Sequence, residues 1–165
     1  MSAKGFWVTQ DGHFVHILPP VSAGAAQAGV RFNMTMWAHA SLVVRFGASG
    51  GQAGAITLSV FPAFSGGSGV AIPFKYAVQN ATSAPFDVFN EWVQATASGV
   101  TPTNVANETI VIELDVDDIL VANNGTYVEL DIAAGSLGSS AQVLDAFGIL
   151  SAGRFASDLE TSVQQ

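Results

Sequence analysis

Thr109-Ile110-Val111-Ile112-Glu113-Leu114-Asp115 and, beyond Asn123-Asn124-Gly125, Thr126-Tyr127-Val128-Glu129-Leu130-Asp131-Ile132 decide the class of this fold. In the first run Ile110, Ile112 and Leu114 fall at every second position. In the second, Val128, Leu130 and Ile132 do the same. A period of two lines the apolar side chains along one face of a pleated strand and turns the carboxylates to the other. Asn-Gly accepts positive φ, so the step at 123–125 reads as a tight turn. On this pattern Glu113, Asp115 and Asp117 share one face of an extended chain, with Glu129 and Asp131 on a neighbouring strand.

The same grammar extends outward from this pair. Leu42, Val44 and Phe46 alternate with Ser41, Val43 and Arg45. Ile56, Leu58 and Val60 alternate with Thr57 and Ser59, and residues 141–151 form a last apolar segment. Residues 12–17 predict a first strand ended by Pro19-Pro20, and 21–29 predict a long loop or arm. Residues 30–37 predict a strand with Val30, Phe32, Met34 and Met36 on one side. Pro73 inside 70–78 predicts an edge strand or a bulge, since proline cannot donate to a ladder. Segment 85–97 is open between a strand and one helical turn. Gly47–Gly51 and Ser65–Gly69 read as glycine-rich connections. About eight short strands with no long period of 3.6 predict an all-β fold. The expected form is an antiparallel β-sandwich, jelly-roll or β-tulip like, as a single domain over 1–165 with an N-terminal arm at 1–11 and a C-terminal tail at 156–165.

Composition narrows what such a sandwich is for. Only 11% of residues are charged and mean hydropathy is +0.40, where an independent soluble domain carries about 25% charged residues. No run approaches the roughly 18–20 apolar residues of a membrane helix, and the first residues lack the pattern of a secretory signal. A surface this poor in charge is best explained by neighbours that cover much of it, so the chain is expected to be a subunit of an assembly and not a membrane protein. Residues 1–85 hold four cations against Asp11, a net of +3; residues 86–165 hold twelve carboxylates against Arg154, a net of −11. Without a basic stripe the chain is not expected to bind nucleic acid. It has no cysteine, which removes thiolate metal sites and cysteine nucleophiles.

Each candidate catalytic or metal site competes with a plainer explanation. Gly47-Ala48-Ser49-Gly50-Gly51 fits the spacing of a serine nucleophile elbow, but a strand follows where that motif needs a helix. His13 and His16 stand three apart and so point to opposite faces of a strand. His39 has no carboxylate near it in sequence. Asp115, Asp117 and Asp118 are the one candidate metal set, for calcium, against a solvated acidic face. Four Asn-x-Thr sequons read as coincidence in a Thr- and Ser-rich chain. Trp7, Trp37, Trp92, Tyr76 and Tyr127 could form a sugar-binding platform or fill a core and an interface. No nucleophile, base and orienting group can be assembled, so no enzymatic activity and no cofactor are expected.

The order of motifs resembles small structural proteins of tailed-bacteriophage virions, the head decoration (cement) proteins. The residues that carry the likeness are Leu18-Pro19-Pro20-Val21, the run Met34 to Ala48 with its Trp37-Ala38-His39 corner, and Ala55–Val60 leading to Ala71–Tyr76. Asp117 to Leu130 and Gly148 to Phe155 complete it. It spans about 12–157, departing at Phe155, where a tyrosine is expected, and at glycine-rich insertions over 47–54 and 64–69. The resemblance implies a homodimer or homotrimer on the outer surface of a capsid, bound to the major capsid protein and stabilising the shell. On that expectation Phe6, Trp7 and Phe14 belong to an arm packing on a neighbour. Arg31, Arg45 and Lys75 pair with an acidic capsid surface, and Arg154 and Phe155 sit at a subunit junction. Two other roles stay open: a glycan-binding β-sandwich of a phage tail or fibre, and a head-completion or tail structural subunit.

Overall fold

A computed structural model describes residues 12–22, 24–47, 54–79, 88–102, 107–120, 122, 125–135 and 143–153. They form strands β1 (Gly12–Ser22), β2 (Gln27–Ala28), β3 (Phe32–Asn33), β4 (Trp37–Phe46), β5 (Ile56–Phe61) and β6 (Val70–Ile72). These are followed by β7 (Phe74–Gln79), β8 (Val93–Ala95), β9 (Thr109–Asp115), β10 (Tyr127–Ile132) and β11 (Val143–Gly153). One short helix, α1 (Val116–Leu120), links β9 to β10. The strands make two antiparallel sheets packed as a sandwich. The six-stranded sheet runs β1-β11-β4-β9-β7-β8; the five-stranded sheet runs β2-β10-β5-β6, with β3 also on β10.

The alternation seen in the sequence is what closes the sandwich. Ala40, Leu42, Val44 and Phe46 of β4 and Ile110, Ile112 and Leu114 of β9 point inward from the large sheet. They meet Ile56, Leu58 and Val60 of β5 and Val128, Leu130 and Ile132 of β10, and all join one contiguous buried cluster. Side chains from two pleated faces interdigitate in this way when each strand keeps strict period two. The sheets are also tied at one corner, where Ile56 and Val100 exchange backbone hydrogen bonds. Gly99 permits that approach: its φ is +78°, and a Cβ there would lie 2.0 Å from the Ile56 carbonyl oxygen.

Four local expectations give way to tertiary context. Strand β1 does not stop at Pro19-Pro20 but runs on to Ser22. It lies at the sheet edge, so missing N–H groups cost no ladder bond on its free side, and its register on β11 shifts twice, between His16 and Leu18 and again before Val21. Residues 21–29 are not all loop, because Gln27 and Ala28 pair with Ile132 and Asp131 of β10. In 30–37 the strand is interrupted: Phe32 and Asn33 form β3, and β4 begins only at Trp37. Phe32 and Met34 are fully buried while Val30 is exposed, and Asn33 Oδ1 accepts from the Thr35 N–H at 2.8 Å to turn the chain. Pro73 follows an edge strand, β6, as expected, but the run 70–78 is not one strand. Pro73 is the corner where the chain leaves β6 in the small sheet and enters β7 in the large one, with Ile72 and Phe74 buried on either side.

The acidic runs also part company. β9 and β10 belong to different sheets, so Glu113 and Asp115 lie on the outer face of the large sheet and Glu129 and Asp131 on the outer face of the small one. The turn of helix α1 carries the chain across and takes Asp117 and Asp118 with it.

Candidate functional site

Antiparallel register sorts the outward side chains of the large sheet into cross-strand rows. One row is Phe14, Ile149, Ser41, Glu113, Lys75 and Gln94; the next is His16, Phe147, Val43, Val111 and Ala77. Phe14, Ile149, Phe147, Val43 and Val111 therefore adjoin one another on the side of the sheet away from the core. Phe14 is 54% exposed, and its ring stacks on Phe147 with centroids 5.0 Å apart. Arg45 flanks this patch, its guanidinium 5.4 Å from the Phe147 ring and its Nε donating to Asp145 Oδ1 at 3.1 Å. The result is an apolar strip whose bordering charges are already paired.

Beside this strip, register brings together two pairs of residues far apart in sequence, one on β4 and one on β9. His39 stands opposite Asp115 across β4 and β9, with Ser41 opposite Glu113. His39 Nε2 lies 2.6 Å from Glu113 Oε2 and Nδ1 lies 2.8 Å from Asp115 Oδ1. Ser41 Oγ donates to the same Glu113 oxygen at 2.7 Å. Burial pulls the His39 pKa down, but hydrogen bonds and charge from Asp115 and Glu113 outweigh it, and the pKa is raised above its ordinary 6.5. The clamp in turn holds both carboxylates in fixed positions.

Those two carboxylates form one wall of a cleft of about 780 Å³ between β8, the start of β7 and the end of β9. Trp92, Val93, Lys75, Gln94 and Asp118 supply much of the rest, over a base that includes Pro73 and Phe74. Trp92 is 54% exposed and Val93 48%. Of the aromatic residues considered for a sugar platform, Trp37 is buried in the core with His13 stacked on it, Tyr76 packs against the core, and Tyr127 packs against Phe64. Trp7 lies outside the described residues. Trp92 alone among the described ones faces an open cleft.

The other predicted residues are placed as follows. Phe14 is in edge strand β1, not in an arm. Arg31 is occupied within the fold on the small-sheet side. Its Nε donates to Glu129 at 2.7 Å, its Nη1 reaches the carbonyls of Ala63, Phe64 and Gly66 at 2.8–3.2 Å, and it lies over the Phe61 ring at 3.4 Å. Arg45 pairs with Asp145, and Lys75 stands opposite Glu113. Asp115, Asp117 and Asp118 do not form a ligand set. Asp115 is held by His39, Asp118 accepts from the Asp115 backbone N–H at 3.3 Å, and among the described residues no three His, Asp or Glu side chains are grouped to hold a metal ion. Phe6, Trp7, Ser49, Arg154 and Phe155 lie outside the described residues, as do the arm at 1–11 and the tail at 156–165. Sequence pattern named Glu113, Asp115 and His39 separately but missed the clamp they form, because only strand pairing joins position 39 to 113 and 115.

No helix among the described residues is long and apolar enough to cross a membrane. No family model and no curated protein matches the chain. Among solved structures, the crystal structure of the SPBc2 prophage-derived protein YomS is similar at a TM-score of 0.47 and 15% identity, over 86% of this chain and 94% of that one. A likeness this loose carries no weight on what the chain does.

Proposed function

We propose that this chain is a structural subunit of a virus particle, a decoration protein that docks on the outer surface of an icosahedral head through the apolar strip of its six-stranded sheet. The observation that carries this is the adjacency of Phe14, Phe147, Ile149, Val43 and Val111 on the side of the sheet facing away from the core. The low overall charge and the resemblance in motif order support it. A partner's surface would gain from covering these side chains, at roughly 25 cal/mol per Å² of apolar area removed from water. It would meet few unpaired charges there, since Arg45 is already joined to Asp145 and His39 to Glu113 and Asp115.

The mechanism is mass action. A protein that binds only the assembled shell stabilises it by an amount that grows with the logarithm of its free concentration once that exceeds Kd. Self-association into a dimer or trimer multiplies contacts that are individually weak. The test is sedimentation of the purified chain, alone and with heads stripped of it. Saturable co-sedimentation that Val43→Asp abolishes, at unchanged melting temperature, is the expected result. A chain that stays in the supernatant at every concentration, or a Val43→Asp variant that binds as well as the parent, overturns the assignment.

A further inference from the structure

We infer that the cleft between β8, β7 and β9 is a binding site for a neutral saccharide, with Trp92 as its stacking platform. The inference rests on residues outside the apolar strip and goes beyond the docking role. Three features favour this ligand class. The cleft's volume, about 780 Å³, falls in the roughly 300–1,000 Å³ range of small-molecule sites and suits a short oligosaccharide. It combines a half-exposed indole with a polar wall that holds both kinds of hydrogen-bonding group. Lys75 and Gln94 donate, while Glu113, Asp115 and Asp118 accept. A sugar ring offers the matching arrangement, an apolar C–H face for the indole and a rim of hydroxyls that donate and accept at once.

The nearest competitor is a cationic side chain, since the cleft's lining holds three carboxylates and one lysine. An arginine or lysine side chain would also stack on Trp92 and meet carboxylates. Here, however, Lys75 lies directly across the ladder from Glu113, and His39 holds one oxygen of Glu113 and one of Asp115. A cation entering the cleft would be repelled by the Lys75 ammonium and would find two carboxylates already engaged by an imidazole, with Asp118 as the remaining attractor. A neutral polyol meets no such repulsion, and it finds acceptors whose positions are set before it arrives. His39 is thus a positioning residue, acting through Glu113 and Asp115.

The experiment is a glycan array probed with the full chain, followed by titration calorimetry with each neutral oligosaccharide that scores and with a tri-arginine peptide as the cationic control. Neutral glycans are expected to bind. Trp92→Ala should weaken them at least tenfold at unchanged melting temperature, and Trp92→Tyr, which keeps a flat ring, should restore most of the affinity. His39→Gln should weaken binding less and remove its dependence on pH above 6.5, where the raised His39 pKa places the loss of its proton. The inference is overturned if no neutral glycan binds, if Trp92→Ala binds as well as the parent, or if tri-arginine is the better ligand. Val43→Asp keeps the saccharide site while disabling docking, so failure of one assignment is distinguishable from failure of the other.

Discussion

The two outer faces of this sandwich begin from the same sequence rule and end differently. On the five-stranded sheet the large apolar residue that points away from the core is Phe61, opposite Tyr127 in β10. The chain covers it itself. Residues 62–69 fold back over the sheet, Arg31 lies on the ring, and Gly69 comes so near that a Cβ there would sit 2.4 Å from Phe61. Phe61 ends only 8% exposed. On the six-stranded sheet Phe14 is 54% exposed, and Phe147, Ile149, Val43 and Val111 beside it are only partly buried. Period two tells which side chains face away from the core but not what lies over them. The difference separates an internal latch from a surface left for a partner.

The largest effect should come from truncating one phenylalanine on each face. Phe61→Ala removes a ring enclosed on both sides and is expected to cost about 3–5 kcal/mol, the range for a buried aromatic. Phe147→Ala in the isolated chain removes a partly buried ring that Phe14 stacks on and Arg45 flanks, and is expected to cost less, about 1–2 kcal/mol. Urea unfolding of both variants, fitted to the midpoint and slope, measures the contrast. Equal losses would mean that the two faces are not differently covered.

The two arginines sharpen the same contrast at a smaller scale. Arg31 and Glu129 side chains are 15% and 16% exposed, and Arg31 also satisfies three loop carbonyls. Arg31→Met leaves these acceptors and a carboxylate without a donor, so a loss of about 1.5–3 kcal/mol is expected, with faster proteolysis within 62–69. Arg45 is 56% exposed beside Asp145. Arg45→Met is expected to cost about 0–1 kcal/mol, as for other surface pairs. Both follow from thermal melts, and limited digestion shows whether the Arg31 loss is local to the loop.

How much of this was legible beforehand depends on whether the cause is local. The strands at 41–46, 56–60, 109–115 and 126–132 declared themselves, because burial on one face forces alternation and alternation is written residue by residue. Pro73 announced an interruption but not its kind, since the same missing N–H serves an edge, a bulge or a step between sheets. Pro19-Pro20 misled because a proline's cost depends on whether its strand is at the edge, which is a property of the whole sheet. The sites were harder still. His39 meets Glu113 and Asp115 only through the β4–β9 register, and the acidic runs were assigned to one surface although their strands belong to opposite sheets. Arg31 was expected to face a partner because nothing near it in sequence foretold Glu129 or the loop carbonyls.

The smallest expected effects are pH-dependent, and they set the two faces in different windows. Asp131, on the small sheet, has its pKa pushed up to about 6 by burial and by the charge of Glu129, against the pull of Arg31. An acid whose pKa is higher folded than unfolded contributes stability that is complete below its unfolded pKa and lost as pH rises through the folded one. The Asp131 contribution should therefore fade between about pH 4 and 6. His39, on the large sheet, is also raised, but from 6.5, so its contribution is full below that value and fades as pH climbs through a folded pKa above it. Both groups are partly exposed, so solvent screening cuts each effect below what its full shift would give. Melting temperatures measured from pH 4 to 9 should show two shallow declines. Asp131→Asn should flatten the lower decline alone and His39→Gln the upper alone. If either substitution removed both, the two faces would be electrostatically coupled through the core. The separation of a closed face from an open one would then hold for packing but not for charge.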